Sequence, residues 1–216
     1  MNKRGICLNI GCWVDAPEEW KNIDASPYIR ISKIPMVGGL VLSAIGGPKL
    51  PTSVKYGDLV KGLDITHGDC DLIFASHILE HLTLSDFHIA MNNIYSYLKP
   101  GGIFRAIVPD LEKYIAIYTS QRPNGALSLK AAHMFMQESG IGHLGSRSNL
   151  FKRLYEVFSN SRHQWMWDEP SLSDAFAQHG FKNIRRCDYG DWSDPRFASV
   201  ENKNRHWNAI CLEGTK

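Results

Sequence analysis

Apolar residues in this chain fall into short unbroken runs and into stripes at helical spacing. Ile6–Ile10 (ICLNI) is an apolar run ending at Gly11, the pattern of a buried strand. Lys21–Asp24 predicts a second short strand with Asp24 at its carboxyl end, and Asp71–Ala75 (DLIFA) a third. From Ser85 to Leu98 the apolar positions Phe87, Ala90, Met91, Ile94 and Leu98 recur at helical spacing. Thr83 or Ser85 can cap that helix, and Pro100-Gly101-Gly102 stops it. Ile103–Val108 (IFRAIV) reads as another buried strand, closed by Pro109. Helices are then expected over Leu111–Tyr118, about Ala126–Glu138 and Asn149–Phe158, the last two separated by SGIGHLGSRS. A helix over Ser171–His179 ends at Gly180, and strands follow at Phe181–Cys187 and His206–Glu213. Residues 27–57, rich in Gly, Pro and Ile, read as loop with short elements. This rhythm predicts an α/β fold, a parallel sheet covered by helices. One domain spans 1–216, with a helical, lid-like insertion at about 110–168.

Composition narrows the classes. With 216 residues and 44% hydrophobic content, the chain can bury one sizeable core. Its 24 Lys and Arg nearly balance 22 Asp and Glu, so no nucleic-acid partner is demanded. The five cysteines, odd in number and without a CxxC pair, read as reduced thiols. No apolar run approaches the roughly 18 residues of a membrane span, and the N-terminal stretch is too short for a signal peptide. The expectation is a soluble, cytoplasmic protein.

The loop leaving the first strand, LNIGCWVD, raises the chemical question. A dinucleotide fingerprint needs G-x-G-x-x-G so that a pyrophosphate can approach the backbone. Here the three glycine places read Gly11, Trp13 and Ala16, and the acidic residue Asp24 comes too early. NAD is disfavoured. S-adenosylmethionine has no phosphates; it needs one close backbone approach, which Gly11 offers, and a carboxylate for the ribose diol, which Asp24 offers. Trp13 then lines the pocket or packs beneath the loop; alternatively it is core and the loop binds nothing. Downstream, YGDLVKGL carries Asp58 and Leu59, suited to the adenine amino group and ring.

Taken with FASHILEHL, LKPGGIFRAIVPDLE and the late HQWMW and GFKNIRR, these stretches resemble the class I S-adenosylmethionine-dependent methyltransferases, most of all a branch of small predicted methyltransferases. The likeness covers nearly the whole chain and is weakest over 27–57 and 119–148. It implies a Rossmann-like, seven-stranded, mostly parallel sheet with an antiparallel last strand. It also implies cofactor contacts at Gly11, Asp24, Asp58 and Leu59 and at the Ser76-His77 turn, with Asn9, Cys12 and Trp13 in the same first loop. Trp13 departs from the usual glycine. The implied acceptor is a saccharide or other small molecule, of the kind handled in polysaccharide biosynthesis. A fold-retaining protein without catalysis and a nucleic-acid methyltransferase are the rival readings.

His77-Ile78-Leu79-Glu80-His81 matches H-x-x-E-H, a zinc-peptidase signature. That reading wants a long helix and a third ligand downstream, and neither stands out in the chain. No metal is therefore expected; Glu80 is read as a cap, His77 as a cofactor contact and His81 as an ordinary buried histidine. If the acceptor is a hydroxyl, a base must take its proton. The candidates are Asp110, His163 and His77. His163 stands beside Trp165, Met166 and Trp167, a cluster able to stack on a sugar ring or to dock a lid on the sheet; Asp110 is equally placed to start a helix.

Overall fold

The computed structural model describes residues 5–36, 38–44, 51–121, 126, 128–142 and 162–216. Seven strands make one sheet: β1 (Ile6–Ile10), β2 (Lys21–Asp24), β3 (Lys55–Tyr56), β4 (Cys70–Ser76), β5 (Leu98–Pro109), β6 (Lys182–Arg186) and β7 (Ala209–Thr215). Their order is β3-β2-β1-β4-β5-β7-β6, and every neighbouring pair is parallel except the two that β7 makes. The chain order reverses at β1–β4, the place where open α/β sheets bind ligands beyond their strand ends.

Residues 27–57, read as loop with short elements, contain helices α1 (Pro27–Ser32) and α2 (Gly38–Ala44) and strand β3. Ser26 caps α1 through Tyr28 N, and Pro27 opens it, a start signal present in the sequence. Helix α3 (Leu84–Tyr97) is capped by Thr83 and α4 (Leu111–Ser120) by Asp110. Helix α5 covers Ala131–Glu138, five residues shorter at its start than expected. Helix α6 (Glu169–Gln178) begins in a capping box between Asp168 and Ser171. The helix expected at Asn149–Phe158 lies outside the described residues. The final strand starts at Ala209 rather than His206, because Lys203–His206 winds into a 3-10 turn.

Alternation along the strands sorts the two faces. Leu8, Ile10, Ile73, Ala75, Phe104 and Ala106 pack with α3 and α6 in the larger core. Cys7, Leu72, Phe74, Ile107 and Cys211 face the other way. Only residues 11–20 join parallel β1 to β2, fewer than the dozen or so that a helical crossover needs. Trp20, Phe197 and Val200 pack on that second face instead, with Trp20 Nε1 donating to Ser199 Oγ at 2.9 Å.

The connection from β6 to β7 is held there by a buried arginine. Arg105 is fully buried within β5; its Nε donates to Glu201 Oε1 at 2.9 Å and its Nη1 to Glu213 Oε1 at 2.7 Å. Nη1 and Nη2 also reach the carbonyls of Asp191 and Asp188. His206 Nε2 lies 2.9 Å from Glu201 Oε1, and Trp192 Nε1 donates to Oε2. A buried charge with this many partners offsets its desolvation. The connection is thereby fixed across the carboxyl edge of the sheet, over the first loop. No helix among the described residues is long and apolar enough to cross a membrane.

Candidate active site

The turn after β1 is built by Gly11 and Trp13, both in the left-handed region at φ 67° and 48°. Glycine suits position 11 because of its positive φ, and a Cβ there would also displace the tip of the Ile78 side chain. The strained Trp13 is held by Asp24, whose Oδ2 accepts from Trp13 N at 2.9 Å while Oδ1 accepts from Ser26 N at 2.7 Å. Asn9 Nδ2 donates to Asp15 O and to Asn22 Oδ1, pinning the far side of the turn. Asn9 is therefore a brace of this loop. Cys12 is buried against Ile29 and Val54, and burial, helped by the Asp24 charge, pushes its thiol up to about 12.

The indole that replaces the second glycine does not enter the core. Trp13 is half-buried and meets Tyr28 edge-on, ring centroids 5.8 Å apart. A cavity of about 10 Å³ beneath the turn is lined by Gly11, Cys12, Ser76 and, from the β6–β7 connection, Asn202 and Arg205. Next to it, sharing Asp15, Val200 and Asn202, opens a cleft of about 480 Å³. Ligand pockets run to about 300–1,000 Å³, so of these two the cleft has the volume for a nucleoside-sized molecule.

Asp58 lies two residues past β3 and heads a turn: Oδ1 accepts from Val60 N at 3.1 Å, and Oδ2 lies 3.1 Å from Lys61 Nζ. Its carboxyl is held below the ordinary range because these bonds and the Lys61 charge outweigh its partial burial. Leu59 is buried in the larger core, and its carbonyl accepts from Asn93. At the end of β4, Ser76 Oγ is buried without a partner. His77 follows at φ 55°, its Nε2 2.9 Å from Arg205 O and its Nδ1 3.2 Å from Glu80 Oε1.

Asp110 is committed elsewhere. It is 1% exposed, its Oδ1 caps α4 through Glu112 N, and its Oδ2 faces Arg186 at 3.6 Å. It fits its helix-starting role and is a poor base. His163 is brought to Glu80 by the returning segment, in which Gln164 N and Trp165 N both donate to Glu80 O. Its Nδ1 lies 2.6 Å from Ser139 O and its Nε2 3.9 Å from Glu80 Oε1. Burial keeps this imidazole below its usual range, against the pull of the Glu80 charge. Trp167 is buried on Phe87, whereas Trp165 is 41% exposed. Arg105 and the Glu80–His163 contact were not foreseen; the arginine inside the apolar run IFRAIV was the one available signal for the former.

A seven-stranded sheet in the order 3-2-1-4-5-7-6 with β7 reversed, and an acid closing β2 beside a glycine turn, define the Rossmann-like methyltransferase class. The methyltransferase-domain family profile matches residues 11–186. The chain belongs to that family and is a class I S-adenosylmethionine-dependent methyltransferase. Among solved structures, the PH0226 protein from Pyrococcus horikoshii OT3 aligns at a TM-score of 0.52 and 13% identity, covering 100% of this chain and 83% of that one. An S-adenosylmethionine-dependent methyltransferase from Archaeoglobus fulgidus aligns at 0.48 and 13%, covering 98% and 86%. A methyltransferase from Thermotoga maritima, described as a possible histamine N-methyltransferase, aligns at 0.48 and 16%, covering 100% and 84%. No curated protein sequence matches the chain.

The donor set suits the methyl donor. The unpartnered Ser76 hydroxyl waits beside Gly11, and Asp24 uses only two of the roughly four acceptor positions of a carboxylate.

Proposed function

We propose that this methyltransferase methylates a hydroxyl oxygen of a saccharide or similar small polyhydroxylated acceptor. The donor lies against the turn Gly11–Asp15, outside the 480 Å³ cleft except at Asp15, with the free acceptor positions of Asp24 on the ribose diol and the Asp58–Leu59 turn at the adenine end. Bound there, S-adenosylmethionine supplies an electrophilic methyl carbon and a sulfur leaving group, so the protein's task is alignment. The described returning segment that carries His163 and Trp165 is seated on Glu80 and Leu111 and borders the acceptor side.

One observation carries the acceptor reading. Trp165 is 41% exposed and lies two residues past His163, whose ring meets the same Glu80 carboxylate as His77. A flat apolar ring next to imidazole nitrogens is the chemistry that stacks on a sugar and accepts a hydroxyl proton. Asp110 is set aside as the base; the Glu80-facing nitrogens of His163 and His77 are the candidates.

The test is an acceptor screen with labelled donor across free sugars, nucleotide sugars, short RNA and protein. Label in saccharides, with Trp165→Ala raising the acceptor KM and leaving the donor Kd unchanged, supports the reading. Label only in RNA or protein overturns it.

A further inference from the structure

Three imidazoles converge on one buried carboxylate just beyond β4. Glu80 is 0% exposed, and neither of its oxygens receives a hydrogen bond of sound geometry. Around Oε1 stand His77 Nδ1 at 3.2 Å, His81 Nε2 at 3.9 Å and His163 Nε2 at 3.9 Å.

The protons of these rings are assigned by what the other nitrogens touch. His77 Nε2 meets Arg205 O at 2.9 Å, His81 Nδ1 meets Arg162 O at 3.1 Å, and His163 Nδ1 meets Ser139 O at 2.6 Å. A carbonyl only accepts, so each of those nitrogens carries the hydrogen. In the neutral rings the nitrogens turned toward Glu80 therefore present lone pairs. One anion and three lone pairs meet in a mostly buried space, and among the described residues no group makes a hydrogen bond of sound geometry to the Glu80 oxygens. Such an arrangement is unfavourable until a cation sits in it.

We propose that Glu80, His81 and His163 form a binding site for a divalent zinc-type ion. Their ligand atoms all lie within 4.8 Å of one another. Tetrahedral ligands at about 2.1 Å from zinc stand roughly 3.4 Å apart, so small side-chain movements close the set. Two histidines and one glutamate form a known zinc set that leaves a fourth position open. Histidine rings tied to main-chain carbonyls through their far nitrogen are the usual outer support of a metal ligand. Gly140, at φ 71°, makes room for this: a Cβ there would come within 2.6 Å of His163 Nδ1. His81 and His163 remain 23% and 16% exposed, which leaves an entry path.

This arrangement is not the zinc-peptidase motif. Leu79–His81 is a single 3-10 turn, and His163 arrives from a distant segment to replace His77 as the second histidine. The other compact group, Glu201, His206 and Cys211, lacks the same need, because the Arg105 guanidinium already meets Glu201.

The site goes beyond the acceptor reading and bears on it at one point: an ion held by His163 Nε2 takes that nitrogen out of proton transfer and leaves His77 as the base candidate. Full-length, tag-free protein is stripped with a chelator and titrated with zinc by calorimetry, with elemental analysis after dialysis and circular dichroism to verify folding. Uptake of about one ion per chain is expected, lost in Glu80→Gln and His163→Ala and kept in His179→Ala, whose ring stacks on His88 elsewhere. Zinc should also raise the melting temperature of wild type and not of His163→Ala. No uptake by folded wild type, which would mean that the cation is only a proton, overturns the site. So does uptake unchanged in both ligand variants. Neither readout needs methyl transfer, so failure here leaves the acceptor reading standing, and failure of the acceptor screen leaves this site standing.

Discussion

Replacing Asp24 by alanine acts on two things at once, and the structure separates them. The carboxylate holds Trp13 N and Ser26 N, and hydrogen bonds to a charged acceptor are worth about 1.5–3 kcal/mol each. Both serve one turn that can relax together, so Asp24→Ala should cost about 3 kcal/mol of stability rather than the full sum. If the remaining acceptor positions bind the ribose diol, donor affinity also falls at least tenfold, about 1.4 kcal/mol. Urea unfolding measures the first effect, and calorimetric titration with S-adenosylhomocysteine the second. A 2′,3′-dideoxy analogue then isolates the ribose contact. Wild type should bind the analogue at least tenfold more weakly than the parent compound, and Asp24→Ala should bind the two alike. Wild-type affinity in the variant, or equal discrimination by both proteins, refutes the ribose role and leaves Asp24 as a brace of the turn only.

Other outcomes follow from the same contacts. Arg105→Met leaves Glu201 and Glu213 buried without their shared cation, so unfolding should require about 3–5 kcal/mol less, read from urea midpoints; a loss under about 1 kcal/mol would contradict the network. Burial alone would raise Glu201, but the bonds from His206 and Arg105 and the Arg105 charge win, and its carboxyl falls from 4.5 to about 2. Its contribution is complete above pH 4.5 and disappears as pH falls from there toward 2, on the order of 3 kcal/mol. Across that window the stability gap between wild type and Glu201→Gln should shrink as pH drops. Gly11→Ala should weaken donor binding, chiefly through the positive φ that alanine must adopt, with a melting point below that of wild type; unchanged affinity and melting point would contradict this. Donor binding should slow hydrogen exchange over 201–206, since Asn202 and Arg205 stand over the turn; unchanged or faster exchange would place the donor elsewhere.

Much of the framework was legible because it depends on local periodicity. The runs Ile6–Ile10 and Lys21–Asp24 form strands with the bounds their patterns predict, and Thr83 caps α3 as its position predicts. Strand β3 was missed because two residues carry no periodicity. The start of β7 was misplaced because the apparent run from His206 first passes through a 3-10 turn capped by Asn202. At the site, Gly11 and Asp24 were readable as a turn and an acid at adjacent strand ends. That Asn9 braces the loop, that Asp110 is absorbed by a cap and Arg186, and that Trp13 turns to Tyr28 depend on contacts across the fold.

The sequence alone determined the order of the strands and helices outside residues 27–57, the absence of a pyrophosphate loop and the family likeness. These rest on side-chain type and spacing along a few residues, which chain connectivity preserves. Tertiary structure alone decided which charged groups meet. Arg105 finds Glu201 and Glu213, and His163 finds Glu80, across long loops. Such meetings depend on how the sheet twists and where a returning segment docks, and no local pattern encodes a contact between groups so far apart in the chain.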